Sequence, residues 1–265
     1  MIRTEKRHSP KIAKVVVAAA FASGALLLQI VGGAIVSPAV AQTSGAQGQW
    51  MSTGSLNVPR RGHTATLLRD GRVLVVGGAS LEAVESSAEL YDSVRGTWQT
   101  TNSMHFQRYG HSATLLLDGR VLVVGGVQQA RINSAEIFDP VSGAWTPTGP
   151  MVSGRFGHSA TLLANGSVLV AGGLRHDGSK HSTNGAEIFD PATGTWAVTG
   201  AMANARREHA AIRLPNGDVL VLGGWTYQVE KLFEDVNPFV SAGTERYVPS
   251  KPFDPKGRDG WALDI

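Results

Sequence analysis

"GHSATLLLDGRVLVVGG", residues 110–126, holds a β-prone run, an Asp-Gly pair, an apolar run and two glycines, and the chain writes it four times. The other copies are "GHTATLLRDGRVLVVGG" from Gly62, "GHSATLLANGSVLVAGG" from Gly157 and "EHAAIRLPNGDVLVLGG" from Glu208. A catalytic loop is not duplicated in this way, so the stretch is a building unit. Its glycine pairs fall at Gly77-Gly78, Gly125-Gly126, Gly172-Gly173 and Gly223-Gly224, at spacings of 48, 47 and 51 residues. Tryptophans keep step at Trp50, Trp98, Trp145 and Trp196. A period near 50 residues marks a repeat architecture whose units bury their apolar faces only against neighbours.

Each unit reads as four strands. The first, such as 111–116, mixes β-branched and apolar residues and runs into Asp70-Gly71, Asp118-Gly119, Asn165-Gly166 or Asn216-Gly217. That pair suits a two-residue type I′ hairpin, in which both central residues need positive φ. The second strand, such as 121–124, is apolar throughout, as expected of a strand covered on both faces. The glycine pair then allows close backbone approach. A third strand carries "SAELYD" from Ser87, "SAEIFD" from Ser134 and "GAEIFD" from Gly185, and a turn such as "DPVSG" or "DPATG" leads to a fourth around Trp98, Trp145 or Trp196.

This order of hydrophobic run, Gly-Gly, Tyr/Phe-Asp, and Trp six residues before Met resembles the kelch repeat over residues 50 to about 224. The resemblance implies an all-β fold, a β-propeller of four recognisable kelch blades, each a four-stranded antiparallel sheet, akin to the central domain of galactose oxidase. The expected repeats lie near 50–97, 98–144, 145–195 and 196–265. The last departs after Gly224 through an insertion over 225–250, and either "GTERYVP" from Gly243 or "FDPKGRDGW" from Phe253 can supply its third strand. Val229, Leu232, Phe233 and Val236 have helical spacing, and Asn237-Pro238 would stop a short amphipathic helix there. Propellers of this family commonly close with six or seven blades. Three explanations stay open: a small closed ring, in which the strand around Trp50 completes the last blade; an open arc with exposed edges; and a chain shortened at its C-terminus. The reading adopted is a truncated or atypical propeller.

Residues 1–41 read differently. Arg3, Lys6, Arg7, Lys11 and Lys14 precede an uncharged run over 15–36 and then Ser37-Pro38-Ala39-Val40-Ala41, which is the pattern of a signal peptide cleaved after Ala41. The uncharged run is also long enough for a retained anchor. Residues 42–49 form a small polar spacer, and 50–265 the propeller. The leader holds five of the 24 Lys and Arg and one of the 21 Asp and Glu, leaving 19 positive against 20 negative side chains. The basic character therefore leaves with the leader, and a nucleic-acid partner loses its compositional support. The protein is expected to be secreted or periplasmic, off the membrane once cleaved. With no cysteine it has no disulfide, no thiolate metal site and no Cys nucleophile.

His63, His111, His158 and His209 recur once per repeat, as do Arg60, Arg108, Arg155 and Arg206 and the glutamates Glu89, Glu136 and Glu187. A residue every blade needs is a scaffold residue, and buried carboxylates demand partners. Function is expected where the repeats differ. Antiparallel blades send the loops after strands two and four to one face. There lie Glu82 and Glu85, Gln128, Gln129 and Arg131, then His176, Asp177, Lys180 and His181, and last Trp225 and Tyr227. The candidate ligand contacts are Trp225, Tyr227, His176, Asp177 and Arg131. Trp225 and Tyr227 could stack on a sugar ring or pin the insertion to its blade. His176, Asp177 and His181 are metal-ligand types, but their glycine-containing loop reads as solvated surface, and neither metal nor cofactor is assigned.

These features point to a bacterial exported binding or interaction module for a protein or glycan, with self-association through open blade edges in view. The alternative is a carbohydrate-active enzyme, oxidase-like or sialic-acid-isomerase-like. The copper-radical oxidases the resemblance brings in need a Tyr crosslinked to a Cys, which this chain lacks. No catalytic residue stands out.

Overall fold

The computed structural model describes residues 49–175, 182–227, 238–249 and 261–262. The chain divides into Met1–Met51 and Ser52–Ile265, and every described strand lies in the second unit. Blade one comprises β1 (Thr64–Leu67), β2 (Val73–Val76), β3 (Ala88–Asp92) and β4 (Thr97–Thr101). Blade two comprises β5 (Ser112–Leu115), β6 (Val121–Val124), β7 (Ala135–Phe138) and β8 (Trp145–Pro147). A short β9 (Arg155–Phe156) leads into blade three, which contains β10 (Ser159–Leu162), β11 (Val168–Ala171), β13 (Ala186–Asp190) and β14 (Thr195–Thr199). Between its middle strands β12 (Leu174–Arg175) pairs with β9. Blade four joins β15 (Ala210–Arg213), β16 (Val219–Leu222), β19 (Thr244–Tyr247) and β20 (Trp261–Ala262). Its insertion begins and ends as a separate hairpin of β17 (Trp225–Tyr227) and β18 (Pro238–Val240). All four blades are antiparallel meanders.

The doubly apolar second strands do what their sequence requires. Val121 and Val123 of β6 share a buried cluster with Leu74, Val76, Ala88 and Leu90 of blade one. Leu122 and Val124 turn the other way, into a cluster with Val168, Val170 and Phe189 of blade three. A third cluster joins blades three and four through Leu169, Ile188, Val219, Val221 and Tyr247. The hydrophobic core is thus three interblade layers, and each blade is stable because its neighbours cover it. The innermost strands β1, β5, β10 and β15 pack in succession, and no comparable packing joins β15 back to β1.

Two expectations are corrected. The Asp-Gly hairpins are not type I′, because only their glycines, Gly71, Gly119, Gly166 and Gly217, have positive φ. Leu68 N–H donates to Arg72 O and Gly71 N–H to Leu68 O, which is a three-residue loop: a type I turn closed by a left-handed glycine. Asp70 contributes through its side chain, accepting the Arg72 N–H at 3.0 Å. Second, the strand around Trp50 does not complete blade four. "GTERYVP" supplies the third strand and Trp261, the last residue of "FDPKGRDGW", opens the fourth, with Tyr247 opposite Trp261 as Tyr91 stands opposite Trp98. The expected helix over 229–236 lies outside the described residues.

The repeated polar residues form one clamp, made four times. Arg60, Arg108, Arg155 and Arg206 reach Glu89, Glu136, Glu187 and Glu245 at 2.5 to 2.8 Å, both partners almost wholly buried. Each arginine also donates to the carbonyl of the first glycine of its pair and to that of the residue just before the third strand. Each glutamate accepts the backbone N–H groups of two residues in the segment that enters the blade, such as His105 and Phe106. The clamp ties the entry segment to the two middle strands. The histidines couple blades: His111 Nε2 lies 2.9 Å from Thr64 Oγ1, His158 Nε2 the same from Ser112 Oγ, and His209 Nε2 2.8 Å from Ser159 Oγ. Gly125 lies where these pieces meet: a Cβ on it would come 2.6 Å from Arg155 O, at a φ of 63°.

Candidate functional site

Between the clamp arginine and the coupling histidine of each blade stand two more residues, and they form the inner rim. The second of them is Gly62, Gly110, Gly157 and then Glu208. These are laddered from blade to blade, with Gly110 N–H donating to Gly62 O, Gly157 N–H to Gly110 O and Glu208 N–H to Gly157 O. All four hold positive φ, and Glu208, at 52°, is the one non-glycine among the described residues to do so. The first of the two is Arg61, Tyr109, Phe156 and Arg207. Each bridges the residue after the glycine pair: Ala79, Val127, Leu174 and Trp225. For Tyr109 the bonds are 3.1 Å to Val127 O and 2.9 Å back.

This row differs in chemistry from blade to blade. Phe156 lies over Gly110, whose Cβ position is 2.5 Å from the ring, and meets Tyr109 edge-on with centroids 6.2 Å apart. The two rings form one wall of a concave site of about 380 Å³, completed by Val127, Gln129, Ala130 and Arg131. Arg131 Nη1 donates to Arg175 O at 2.6 Å, and Arg175 Nη2 to Ser153 Oγ at 2.9 Å. The hollow therefore joins two aromatic faces, an amide and a guanidinium, on the side of the loops that follow the second strands. On the other flank Arg207 Nε is 3.9 Å from the half-exposed Glu208 carboxylate. Trp225 is 38% exposed beside them, held by 2.9 and 3.0 Å backbone bonds to Arg207.

Of the residues singled out by sequence, Arg131 lines the hollow and Trp225 stands on the next blade's rim. Tyr227 lies in β17, its backbone opposite Pro238. His176 and Asp177 lie outside the described residues. Among the described residues no three His, Asp or Glu side chains converge as a cation would require. Sequence reasoning passed over Tyr109, Phe156 and Glu208, although a signal existed. Tyr109 and Phe156 occupy the variable position of otherwise constant Arg-x-Gly-His units, and Glu208 replaces the glycine that the other three units keep.

Residues 62–241 match the KLHDC2/KLHL20/DRC7 Kelch-repeats domain family. The chain belongs to the kelch-repeat family. A 92-residue stretch is 37% identical to the tRNA wybutosine-synthesizing protein 4 of Saccharomyces cerevisiae, covering 29% of this chain and 12% of the yeast protein. The kelch chain thus matches about an eighth of that protein's length. Among solved structures, YjhT superimposes with a TM-score of 0.63 at 16% identity, over 75% of this chain and 72% of its own. At that identity the likeness shows the kelch propeller fold alone.

Proposed function

We propose that this kelch protein is an exported binding module whose ligand, a carbohydrate or a peptide segment of a protein, docks in the hollow over Tyr109 and Phe156. The observation that carries the reading is the pairing of two unlike aromatic rings with Arg131 and Gln129 at a position no other blade repeats. Sugar rings and peptide side chains both offer apolar faces to such rings, and the guanidinium and amide supply directional bonds. A concave site in which apolar faces and a few convergent polar groups meet is a usual build of a ligand site. Export is supported by the pattern of residues 1–41, and intact mass of the exported form, starting at Gln42, is its direct check.

A second reading, a carbohydrate-active enzyme, is favoured by Glu208. The chain accepts a strained backbone to hold one carboxylate on the rim where its sibling blades have glycine. A glycan and peptide array probed with the purified protein decides between the readings. Binding without turnover that is lost in Tyr109→Ala/Phe156→Ala, with the circular dichroism unchanged, supports the module. Trp225→Ala/Tyr227→Ala should weaken the same ligand less, and Asp118→Ala, on the opposite face, not at all. Binding lost through Asp118 and kept in the Tyr109/Phe156 variant overturns the site, and turnover lost in Glu208→Gln favours the enzyme.

A further inference from the structure

On the face that carries the Asp-Gly and Pro-x-x-Gly turns, a groove runs between successive blades, and its first two copies are filled differently. Between blades one and two it is closed by two arginines. Arg69, on the turn after β1, lays its Cδ over Gly119, 3.4 Å from where a Cβ would stand, and its Nη2 donates to Leu117 O. Arg72 Nη2 donates to Pro140 O at 2.9 Å. Between blades two and three the place of Arg69 falls to Leu117, whose Cδ1 lies 3.1 Å from the Cβ position of Gly166. Arg120, the counterpart of Arg72, donates from Nε to Asp118 at 2.7 Å. Among the described residues no side chain donates to Ala164 O or Pro191 O, the carbonyls that correspond to Leu117 O and Pro140 O. A hollow of about 310 Å³ remains there, lined wholly by blades two and three.

We propose that this second groove docks an arginine side chain of a partner protein, its guanidinium taking the place that the chain's own arginines fill one blade earlier. The first groove is the template for the occupant. There a guanidinium bonds the carbonyl of the residue before the next blade's Asp-Gly pair, and in the second groove the same carbonyl is Ala164 O. The charges agree with a cation: Asp118 and Asp190 line the hollow against the single guanidinium of Arg120. The apolar surface agrees with an arginine stem. Leu117, 55% exposed, and Pro191 offer a floor along which three methylenes can lie. An ammonium would carry the same charge without the planar set of five donors, so lysine is the poorer occupant. The groove lies on the face away from the hollow over Tyr109 and Phe156, and the two sites stand or fall separately.

The probe is the blocked peptide acetyl-Ala-Gly-Arg-Gly-Ala-amide, titrated into the purified protein by calorimetry over about 0.1 to about 5 mM. Saturable binding is expected, with hydrogen exchange slowed over 164–167 and 190–192. Citrulline in place of the peptide's arginine keeps the shape and removes the charge, and should weaken binding at least about tenfold. Leu117→Arg supplies from within the guanidinium that blade one has in Arg69, at an exposed position, so it should melt as the wild type does and bind the peptide at least about tenfold more weakly. Val94→Arg adds the same charge to the same face, at a 93% exposed position on the blade-one turn outside the groove, and should leave the affinity within about twofold. No heat at the highest concentration, a citrulline peptide that binds as tightly, protection elsewhere on the protein, or two arginine variants that weaken binding alike would each overturn the proposal.

Discussion

Replacing Glu136 by Gln conserves the shape of the blade-two clamp and removes its charge, and the cost can be worked from the bonds. Oε1 accepts Phe106 N–H at 3.2 Å and Arg108 Nη2 at 2.8 Å. Oε2 accepts His105 N–H at 2.7 Å and faces His105 Nδ1 at 2.8 Å. A glutamine offers one oxygen, so in either orientation its NH₂ confronts donors. The better orientation puts the NH₂ at Oε2, where it can donate to the ring Nδ1 of His105 and only the His105 backbone N–H is stranded, at about 1 to 3 kcal/mol. Arg108, with no exposed surface, keeps its carbonyl partners but loses its counter-charge. Removing one member of a buried ion pair costs about 3 to 5 kcal/mol, which includes that stranded donor. At about 2 to 4 °C per kcal/mol for a domain of this size, Tm should fall by roughly 10 °C. Urea unfolding and scanning calorimetry measure both figures. Glu187→Gln should cost at least as much, since Val152 N–H and Ser153 N–H offer no ring nitrogen as a rescue. Arg108→Met combined with Glu136→Met should cost less than either single change. A Glu136→Gln protein within about 1 kcal/mol of wild type would refute the view that the clamp's charge holds the blade together.

Stability should also fall on mild acidification. Burial, seconded by the positive charge of Arg108 and Arg155, pushes His111 and His158 down to about 3, and burial with Arg206 pushes His209 down to about 4. Unfolded histidines take up protons from about pH 6.5 downward while the folded ones stay neutral, so the unfolded chain binds more protons across that window and stability is lost as pH falls towards 4. Each histidine contributes a slope of up to about 1.4 kcal/mol per pH unit, and urea midpoints that stay level between pH 7 and pH 5 would contradict the buried neutral state. Glu208→Gly is expected to keep or raise stability, by up to about 1 kcal/mol, because it restores the residue type that the 52° φ favours while adding some freedom to the unfolded chain. A loss of stability in urea would show that the carboxylate contributes to the fold.

The repeat made most of the fold legible before any coordinates. Alternating exposure could not have located "VLVV", but its position between an Asp-Gly pair and a Gly-Gly pair did, and β2, β6, β11 and β16 lie there. The turn type was misread for a local reason. An Asp-Gly pair suits a two-residue loop, but the bond from Leu68 N–H to Arg72 O fixes three residues between the strands, and Asp70 then keeps negative φ and caps the turn with its carboxylate. Blade four was ambiguous because the insertion separates its middle strands and a second long stretch precedes its outer strand. The first late stretch supplies the third strand, and Trp261, the last residue of the second, opens the fourth strand of the same sheet.

The ligand hollow was hidden by the same regularity that revealed the fold. Loop length and unusual composition draw attention to His176, Asp177 and Trp225, whereas Tyr109 and Phe156 sit inside the constant pattern Arg-x-Gly-His. The constancy on either side has a physical basis: the arginine is spent on the clamp, the glycine on a left-handed backbone, and the histidine on the neighbouring blade's hydroxyl. The x position is different. Its backbone N–H and C=O are satisfied across the bridge to the residue after the glycine pair, whatever its side chain, and in Tyr109 and Phe156 that side chain lies against the preceding blade's glycine at the rim. Arg61, Tyr109, Phe156 and Arg207 can therefore differ without disturbing clamp, turn or interblade layer. A column free to vary beside columns that are not is where a repeat scaffold can acquire a specific surface at little cost to its stability, and in this chain it places two aromatic rings between two arginines.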